Sequence, residues 1–256
     1  MTNGTWDGAA YADIATLQRE LAGQSIDSLT WRGDEDVLDL GCGDGRMTHA
    51  IAARVPRGRV TGIDLSPAQI AFAQRLPGAP NVLFTVGDAL ALPFGTSFDL
   101  AVSFNTLHWI HDLERAFGEL RRVLRNGGRI AIRCVCAGQK ASLEETLMQT
   151  AATPAWAAHF RGLERPFEHR PPEGLRAVAE SAGFSAQVET DSKVWHFGSQ
   201  AALRSWMKAT MSPWFSVLPE ERRDAFGADA VAAYEALVGR EGEFRFMQCR
   251  LTGVAR

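Results

Sequence analysis

Residues 37–45 read VLDLGCGDG, an apolar run that contains one acid and continues into closely spaced glycines. The glycines stand at alternate positions, Gly41, Gly43 and Gly45. A glycine-rich turn between a strand and a helix allows the backbone to approach a ligand closely. Asp39 adds a negative charge beside the turn, which repels a pyrophosphate and attracts an amino group or another cation. We therefore predict a site for a nucleoside with a charged amino-acid tail rather than for a dinucleotide.

The spacing of these glycines also disfavours a nicotinamide cofactor. A dinucleotide fingerprint has the pattern G-x-G-x-x-G. Here Arg46 stands where the third glycine belongs, and the extra glycine comes one residue early. A nicotinamide-dependent oxidoreductase is therefore a disfavoured alternative.

Strand-like and helix-like segments alternate from Val37 to about Cys136. This alternation predicts an α/β unit with a mainly parallel sheet. Later residues mix helical segments with sheet-completing strands, and we expect the helical ones to cover the carboxyl edge of the sheet, where such sheets bind ligands. The 256 residues are predicted to form one domain, divided into a lid helix over 1–30, a cofactor-binding core over 31–136, and cap insertions over 137–170 and 198–240.

Acidic residues follow two successive predicted strands. Asp64 ends the second strand, 23 residues after Gly41, and its two carboxylate oxygens can accept both hydroxyls of a ribose. Its alternative role as a helix cap is already filled by Ser66, with Gln69 completing a capping box. Asp88 follows the third strand and is predicted to accept the amino group of an adenine, although an aspartate that simply forms a turn is common.

Three further residues are expected beside the same ligand. The backbone amide of Ala89 is predicted to face a ring nitrogen of the adenine. Asn105 lies just beyond the fourth strand and is expected near the reactive end of the cofactor. Trp109 belongs to the same segment and is predicted to face the pocket, although it could equally be a core residue.

An amino-terminal segment with two aromatic residues, Trp6 and Tyr11, precedes the first strand. Its helical continuation through Leu21 can pack over the site as a lid, or can lie on the surface as an amphipathic helix. An aromatic ring beside a cationic ligand gains about 0.5–2 kcal/mol of cation–π attraction. We therefore keep both interpretations of this segment.

Composition argues against several other classes of function. The net charge of −3 gives no electrostatic reason to expect nucleic acid, and the apolar stretches are too short to span a bilayer. The chain does not begin with a basic segment followed by a hydrophobic run, so a secretory signal is not expected. The four cysteines lack metal-ligand and CxxC spacing, which predicts reduced thiols in a cytoplasmic protein without a bound metal.

Several segments together resemble the class I S-adenosylmethionine-dependent methyltransferases. They lie within residues 37–136 and read VLDLGCGDG, GIDLS, GDALALPF, FDLAVSFNTLHWIHD and LRRVLRNGGRIAI. Over nearly its full length the chain also resembles the trans-aconitate methyltransferase group, including residues 199–221 and the closing strand. The resemblance implies a Rossmann-like seven-stranded sheet with an antiparallel last strand and a helical cap between the sixth and seventh strands. It also implies S-adenosylmethionine as methyl donor and S-adenosylhomocysteine as product.

The resemblance and the strand-end pattern together assign two sets of residues. The residues expected at the cofactor are Asp39, Gly41, Cys42, Gly43, Asp64, Leu65, Asp88, Ala89, Asn105 and Tyr11. The residues expected at the acceptor are Trp6, Trp109, Arg133, Trp206 and Trp214. Arg133 lies inside the apolar fifth strand, where it either binds an anionic substrate or forms a structural ion pair. The alternative cations are Arg161, Arg165 and Arg170.

The resemblance implies esterification of a small or medium organic acid. A carboxylate is already ionised at neutral pH and needs no general base, so catalysis would come from alignment and exclusion of water. The alternative is a carbon, nitrogen or phenol acceptor, for which His108 or His196 is the candidate base. A noncatalytic S-adenosylmethionine-binding protein is a third possibility. We expect a monomer or homodimer that acts on a small molecule.

Overall fold

The computed structural model describes residues 16–138 and 142–256. The strands are β1 (Asp36–Leu40), β2 (Arg59–Asp64), β3 (Val82–Val86), β4 (Phe98–Phe104), β5 (Leu124–Val135), β6 (Phe184–His196) and β7 (Glu243–Ala255). The helices are α1 (Thr16–Ser28), α2 (Arg46–Ala52), α3 (Pro67–Ala73), α4 (Leu113–Val123), α5 (Leu143–Ala151), α6 (Pro172–Ser181), α7 (Gln200–Thr210), α8 (Ser212–Phe215) and α9 (Glu220–Val238). A 3₁₀ turn spans Leu107–Trp109. None of the described helices is long and apolar enough to cross a membrane.

The strands form one sheet in the order β3-β2-β1-β4-β5-β7-β6. Neighbours from β3 to β5 run parallel, whereas β7 is antiparallel to both β5 and β6. The four residues of β1 after Asp36 are all buried, as expected for a strand that is covered on both faces. The predicted α/β fold, with a seven-stranded sheet and an antiparallel last strand, is confirmed.

Helices cover both faces of the sheet. On one face α4 buries apolar side chains at spacings of three and four residues, the pattern that predicted this helix, and α6 packs beside it. The buried residues of α4 are Leu113, Ala116, Phe117, Leu120 and Val123. On the other face α1 and α2 bury Ala22, Ile26, Ile51 and Ala52. The sheet is therefore the middle layer of three.

The boundary between α4 and β5 differs from the prediction. The apolar periodicity of residues 112–125, followed by Asn126-Gly127-Gly128 as a breaker, predicts a helix that continues to Arg125, but Leu124 is already extended and pairs with Phe98 of β4. The predicted helix breaker at 126–128 therefore lies inside β5, where the register shifts against β4. Gly127 takes a φ of 73°, which permits this irregularity.

The cap has its own apolar core, which α5, α7, α8, α9 and residues 152–170 enclose. Its aromatic members include Trp156, Phe160, Phe167, Trp206, Trp214, Phe226 and Tyr234. The same cluster contains Leu21 of α1 and two residues of β7, Phe244 and Phe246. The cap core is thus continuous with the amino-terminal helix and with the antiparallel strand of the sheet.

Candidate active site

A cavity of about 260 Å³ lies between the carboxyl edge of the sheet and the cap. One half is lined by residues at the ends of β1 to β4, and the other half by residues of α1, α5, α7 and β7. The predicted site residues that line it are Gly41, Gly43, Asp64, Leu65, Asp88, Ala89, Asn105, His108, Trp109 and Trp206. Open α/β sheets bind ligands in the crevice at the carboxyl ends of their strands, so this cavity is the candidate active site.

The glycine turn brings backbone to the cavity wall. Gly41 and Gly43 have φ values of 75° and 53°. A Cβ on Gly41 would lie 2.2 Å from the Oγ1 of Thr106, so this close approach excludes a side chain. At Gly43 the space beyond the backbone is open, with no atom within 4 Å of a Cβ position. Cys42, between them, packs in a small apolar cluster with Phe84 and does not line the cavity.

Asp39 lies one layer behind the cavity. The residue is 2% exposed, and its Oδ2 accepts a hydrogen bond of 2.7 Å from the Oγ1 of Thr48 on α2. Successive side chains of a strand point to opposite faces, and the neighbouring Leu40 is the one that lines the cavity. Burial raises the pKa of Asp39 to about 7; the hydrogen bond from Thr48 opposes this shift, and the charges of Asp64 and Asp44 add to it.

Asp64 ties the glycine turn to the start of α3. Its Oδ2 accepts from the backbone N–H of Gly43 and its Oδ1 from that of Ser66, both at 2.9 Å. Burial raises the pKa of Asp64, and these two hydrogen bonds oppose the shift. The predicted capping box is only half formed: Ser66 Oγ accepts from Gln69 N at 3.3 Å, but the Ser66 N–H donates to the charged Asp64 and the Oε1 of Gln69 has no partner.

Gln69 is a cavity residue that sequence reasoning assigned only to the helix cap. It is 4% exposed, and its Oε1 has no hydrogen-bond partner. A buried amide oxygen without a partner is costly and calls for an explanation. Since Gln69 lines the cavity beside Asp64 and Leu65, this part of the site fits a ligand that brings a hydrogen-bond donor.

Asp88, on the predicted adenine side, forms an ordinary turn, whereas Asn105, on the predicted reactive side, has an unusual backbone conformation. Asp88 Oδ1 accepts from the N–H of Leu90 at 2.9 Å, so Asp88 forms the turn of the alternative interpretation as well as lining the cavity. Asn105 has a φ of 57°, and among the described residues it is the one non-glycine with a positive φ. Its Oδ1 accepts a 2.7 Å hydrogen bond from Gln248 Nε2 of β7. Such backbone outliers cluster at functional sites.

Arg133 is a buried structural residue in this arrangement and does not line the cavity. Its Nε donates to Gln248 Oε1 at 2.5 Å, and its Nη2 donates to Asp191 at 2.9 Å. Its Nη1 donates to the carbonyl of Leu21 and to the Oγ of Ser25 in α1. These contacts support the ion-pair alternative. Arg133 touches the cavity wall only through Gln248, which accepts its hydrogen bond and lines the cavity.

The alternative cations also lie away from the cavity. Arg165 pairs with Glu145 at the surface, Arg170 pairs with Glu114 and Glu168, and Arg161 is exposed. Among residues 16–138 and 142–256, no arginine or lysine lines the cavity, whereas three carboxylates do: Asp64, Asp88 and Glu144.

The cap half of the cavity is aromatic. Trp109 and Trp206 line it, together with Met211, Phe244 and Phe246. Trp214 is fully buried in the cap core instead and is not a lining residue. Two residues expected at the site, Trp6 and Tyr11, lie outside the described residues.

The two candidate bases are in very different places. His108 lines the cavity, and its Nδ1 accepts a 3.4 Å hydrogen bond from the N–H of Val135. Burial, reinforced by His169, holds the pKa of His108 well below its usual range, so the neutral ring carries its proton on Nε2. His196 does not line the cavity: 54% of its side chain is exposed, and its Nδ1 lies 3.7 Å from Glu243.

Glu144 is a second cavity residue that sequence reasoning missed. It lies in the first turn of α5 and is 3% exposed. Its Oε2 accepts from Ser142 Oγ at 2.8 Å, and its Oε1 lies 4.0 Å from His169 Nε2. Burial lowers the pKa of His169, although Glu144 opposes this shift. Acids are common in the first turns of surface helices, so nothing in the local pattern indicated a cavity position.

Comparison with known proteins agrees with this geometry. Residues 37–128 match a family model described as a methyltransferase domain. A trans-aconitate 2-methyltransferase of Paracidovorax citrulli is 29% identical over 238 residues, which cover 90% of this chain and 87% of that protein. A juvenile hormone acid O-methyltransferase of Bombyx mori is 30% identical over 171 residues, which cover 63% of this chain and 61% of that protein.

The chain belongs to the class I S-adenosylmethionine-dependent methyltransferases. The methyltransferase has the fold of the YcgJ protein of Bacillus subtilis, with a TM-score of 0.68 at 19% identity and coverage of 93% of this chain and 99% of that one. S-adenosylmethionine is accordingly the methyl donor of this methyltransferase.

Proposed function

We propose that this methyltransferase transfers a methyl group to a carboxylate of a small or medium-sized organic acid. The two relatives described above are named for acids, trans-aconitate and juvenile hormone acid. The proposed setting is the cytoplasm, in line with four cysteines that are all free and buried. Three features of the site support the proposal: the cofactor half, the state of His108 and the enclosure by the cap.

The cofactor half fits S-adenosylmethionine. Open space at Gly43 accommodates a ligand against the backbone. The Oε1 of Gln69, which has no hydrogen-bond partner, can accept from a donor on the ligand. Asp64 is proposed to hold the ribose hydroxyls, Asp88 the adenine amino group, and Asn105 to lie near the reactive end. When bound, S-adenosylmethionine supplies an electrophilic methyl group on a positively charged sulfur.

The observation that carries the proposal is the state of His108. A general base needs a free lone pair that faces the methyl acceptor. The Nδ1 lone pair of His108 instead accepts a hydrogen bond from the N–H of Val135. The other ring nitrogen of the neutral imidazole carries a hydrogen and can only donate. A hydrogen-bond donor suits a carboxylate acceptor, which is already ionised and offers oxygens. Neither of the two predicted bases suits a carbon, nitrogen or phenol acceptor, because His108 presents a donor and His196 lies outside the cavity.

The cap supplies enclosure and alignment. Trp109 and Trp206 line the acceptor half, and their rings exclude water from an ionised nucleophile. Holding two reactants in attack geometry can lower the barrier by about 7–11 kcal/mol without any proton transfer. In this proposal the chain binds, orients and desolvates, and it moves no proton.

Two replacements of His108 separate a donor from a base. His108→Gln retains an amide N–H, whereas His108→Phe retains only a ring. We expect His108→Gln to keep kcat within about tenfold of the original, and His108→Phe to raise KM for the acid by about 10–100-fold, the cost of a hydrogen bond to a charged group. The measurement is methyl ester formation from a panel of organic acids with isotopically labelled cofactor, read by mass spectrometry.

The same panel includes phenols, amines and carbon acids. If His108 is a base, both variants lose about 10²–10⁴ in kcat and the loss varies with pH. Methylation of those compounds in preference to every acid would contradict the proposed function. Binding of S-adenosylhomocysteine, measured by calorimetry, checks that each variant retains its cofactor site.

A further inference from the structure

The acceptor half of the cavity has an unusual balance of charge. Its wall is formed by apolar and aromatic side chains, among them Trp109, Trp206, Met211, Phe244 and Phe246. The charged side chain in this half is an acid, Glu144, and within the described ranges no arginine or lysine lines any part of the cavity. In the remaining residues, 1–15 and 139–141, the sequence contains a single basic side chain, Lys140.

Among the residues that the structure describes, Glu144 forms no ion pair with an arginine or lysine that would cancel its effect on a bound acid. The residue is 97% buried, since its exposure is 3%. Its Oε1 lies 4.0 Å from the Nε2 of His169, which makes no hydrogen bond. Burial lowers the pKa of His169, so that ring is neutral at neutral pH. A buried carboxylate that faces a cavity raises the cost of any further negative charge placed there.

The number of carboxylates on the acceptor decides whether such a cavity can hold it. The carboxylate that is methylated meets the positive sulfur of the cofactor, so this one charge is compensated. A second or third carboxylate would enter a mainly apolar and aromatic wall that offers neutral polar groups such as Thr210, no arginine or lysine among the described residues, and the like charge of Glu144. Such a position is unfavourable, because a buried charge needs a partner and like charges repel at short range.

We propose that the acceptor is a monocarboxylic acid with an apolar body, and that Glu144 excludes di- and tricarboxylic acids from the cavity. The inference rests on the proposed function, because it assumes that a carboxylate is the group methylated. It separates this chain from its relative named for trans-aconitate, since that acid carries three carboxylates. The apolar body of the acceptor would pack against the tryptophans and phenylalanines of the cap half.

The test compares matched acids in two assays. Octanoic acid and octanedioic acid have the same length and differ by one carboxylate, and trans-aconitate is the tricarboxylate. We expect kcat/KM for octanoic acid to exceed that for either polyacid by at least about 100-fold, a ratio that one close like-charge contact can supply. Calorimetry with the enzyme saturated with S-adenosylhomocysteine measures binding of the same acids without turnover, and we expect the same order of affinity.

Glu144→Gln removes the charge and keeps an acceptor for Ser142 Oγ. We expect this variant to raise the value for octanedioic acid relative to octanoic acid at least about tenfold, both for kcat/KM and for binding affinity. Glu145→Gln is the matched control, because Glu145 is adjacent in sequence but lies at the surface, with 41% of its side chain exposed. This control should leave the ratio unchanged.

Two results would overturn the inference while leaving the proposed function standing. One is trans-aconitate or octanedioic acid as the preferred acceptor, and the other is an equal change of the ratio in Glu144→Gln and Glu145→Gln. Failure to methylate any acid, with S-adenosylhomocysteine still bound, would instead refute the proposed function and this inference together.

Discussion

The Asp39 carboxyl departs far from its ordinary chemistry, because burial raises its pKa to about 7. Its pKa in the unfolded chain is about 3.9, so the folded state binds the proton more tightly. The stability contributed by the protonated group is complete below about pH 4 and is lost as the pH rises towards 7. We predict that Asp39→Asn raises the unfolding free energy of the cofactor-free protein at pH 8 by an amount on the order of a few kcal/mol.

The gain from Asp39→Asn should shrink as the pH falls from 8 to 5, since wild-type Asp39 then becomes neutral. Denaturant unfolding at several pH values measures this. Asp112→Asn is the control: Asp112 caps α4 at the surface, where aspartate and asparagine are about equally good caps. A variant that is less stable at pH 8, or a gain that does not vary with pH, would contradict the prediction.

Sequence reasoning found those site residues that follow strands directly. Asp64, Asp88 and Asn105 were predictable as neighbours, because the carboxyl ends of parallel strands meet at one edge of a sheet. Gln248 was not, because it reaches Asn105 from 143 residues away along the chain. Glu144 was missed for a similar reason: local periodicity identifies its helix but not the cavity that the helix faces.

At the scale of elements, the turn between β1 and α2 contains glycines that differ in the space available for a side chain. Gly43 and Gly45 both have positive φ, 53° and 79°. A Cβ on Gly45 would lie 2.6 Å from the ring of Phe84 and 2.7 Å from the Cβ of Ala73, whereas Gly43 faces open space. A side chain would therefore strain the backbone at both positions, but it would clash with neighbouring atoms only at Gly45.

We predict that Gly45→Ala lowers the unfolding free energy of the cofactor-free protein by about 1–3 kcal/mol more than Gly43→Ala does, because overpacking adds to the same backbone penalty. Gly43→Ala serves as the matched control. Equal losses in chemical denaturation would show that Phe84 and Ala73 move aside at little cost.

The elements themselves were largely predictable, and their ends less so. Apolar periodicity identified α4, but its last residues were assigned wrongly because Leu124 suits the helix and the strand equally well. Pairing of Leu124 with Phe98 decides the matter, and such a tertiary contact is invisible to a local pattern. The antiparallel direction of the last strand was available only through the family resemblance, and the order of the strands comes from the structure.

At the scale of the whole molecule, Arg133 joins elements that are remote in sequence. Its guanidinium links β5 to Asp191 of β6, to Gln248 of β7 and to α1. Only 2% of its side chain is exposed. We predict that Arg133→Met lowers the unfolding free energy by about 1–3 kcal/mol, because the buried Oε1 of Gln248 loses its donor, whereas the partly exposed Asp191 keeps Lys193 at 3.2 Å.

Arg250→Met is the control for this prediction. Arg250 lies directly opposite Arg133 in the β5–β7 register, but its side chain is 40% exposed and pairs with Glu189, which is 70% exposed. An exposed pair contributes about 0–1 kcal/mol, so this variant should lose little. Similar losses in the two variants, measured by thermal and chemical unfolding, would count against the bridging role of Arg133.

The position of β7 has a consequence for biosynthesis. Synthesised after β6, it inserts between β5 and β6, and its Gln248 completes the contact with Asn105. A nascent chain whose β7 is still inside the ribosome therefore presents two unpaired strand edges to the cell. Such edges invite intermolecular pairing. Emergence of β7 from the ribosome thus pairs these edges and also completes the wall of the candidate active site, to which Phe244, Phe246 and Gln248 contribute.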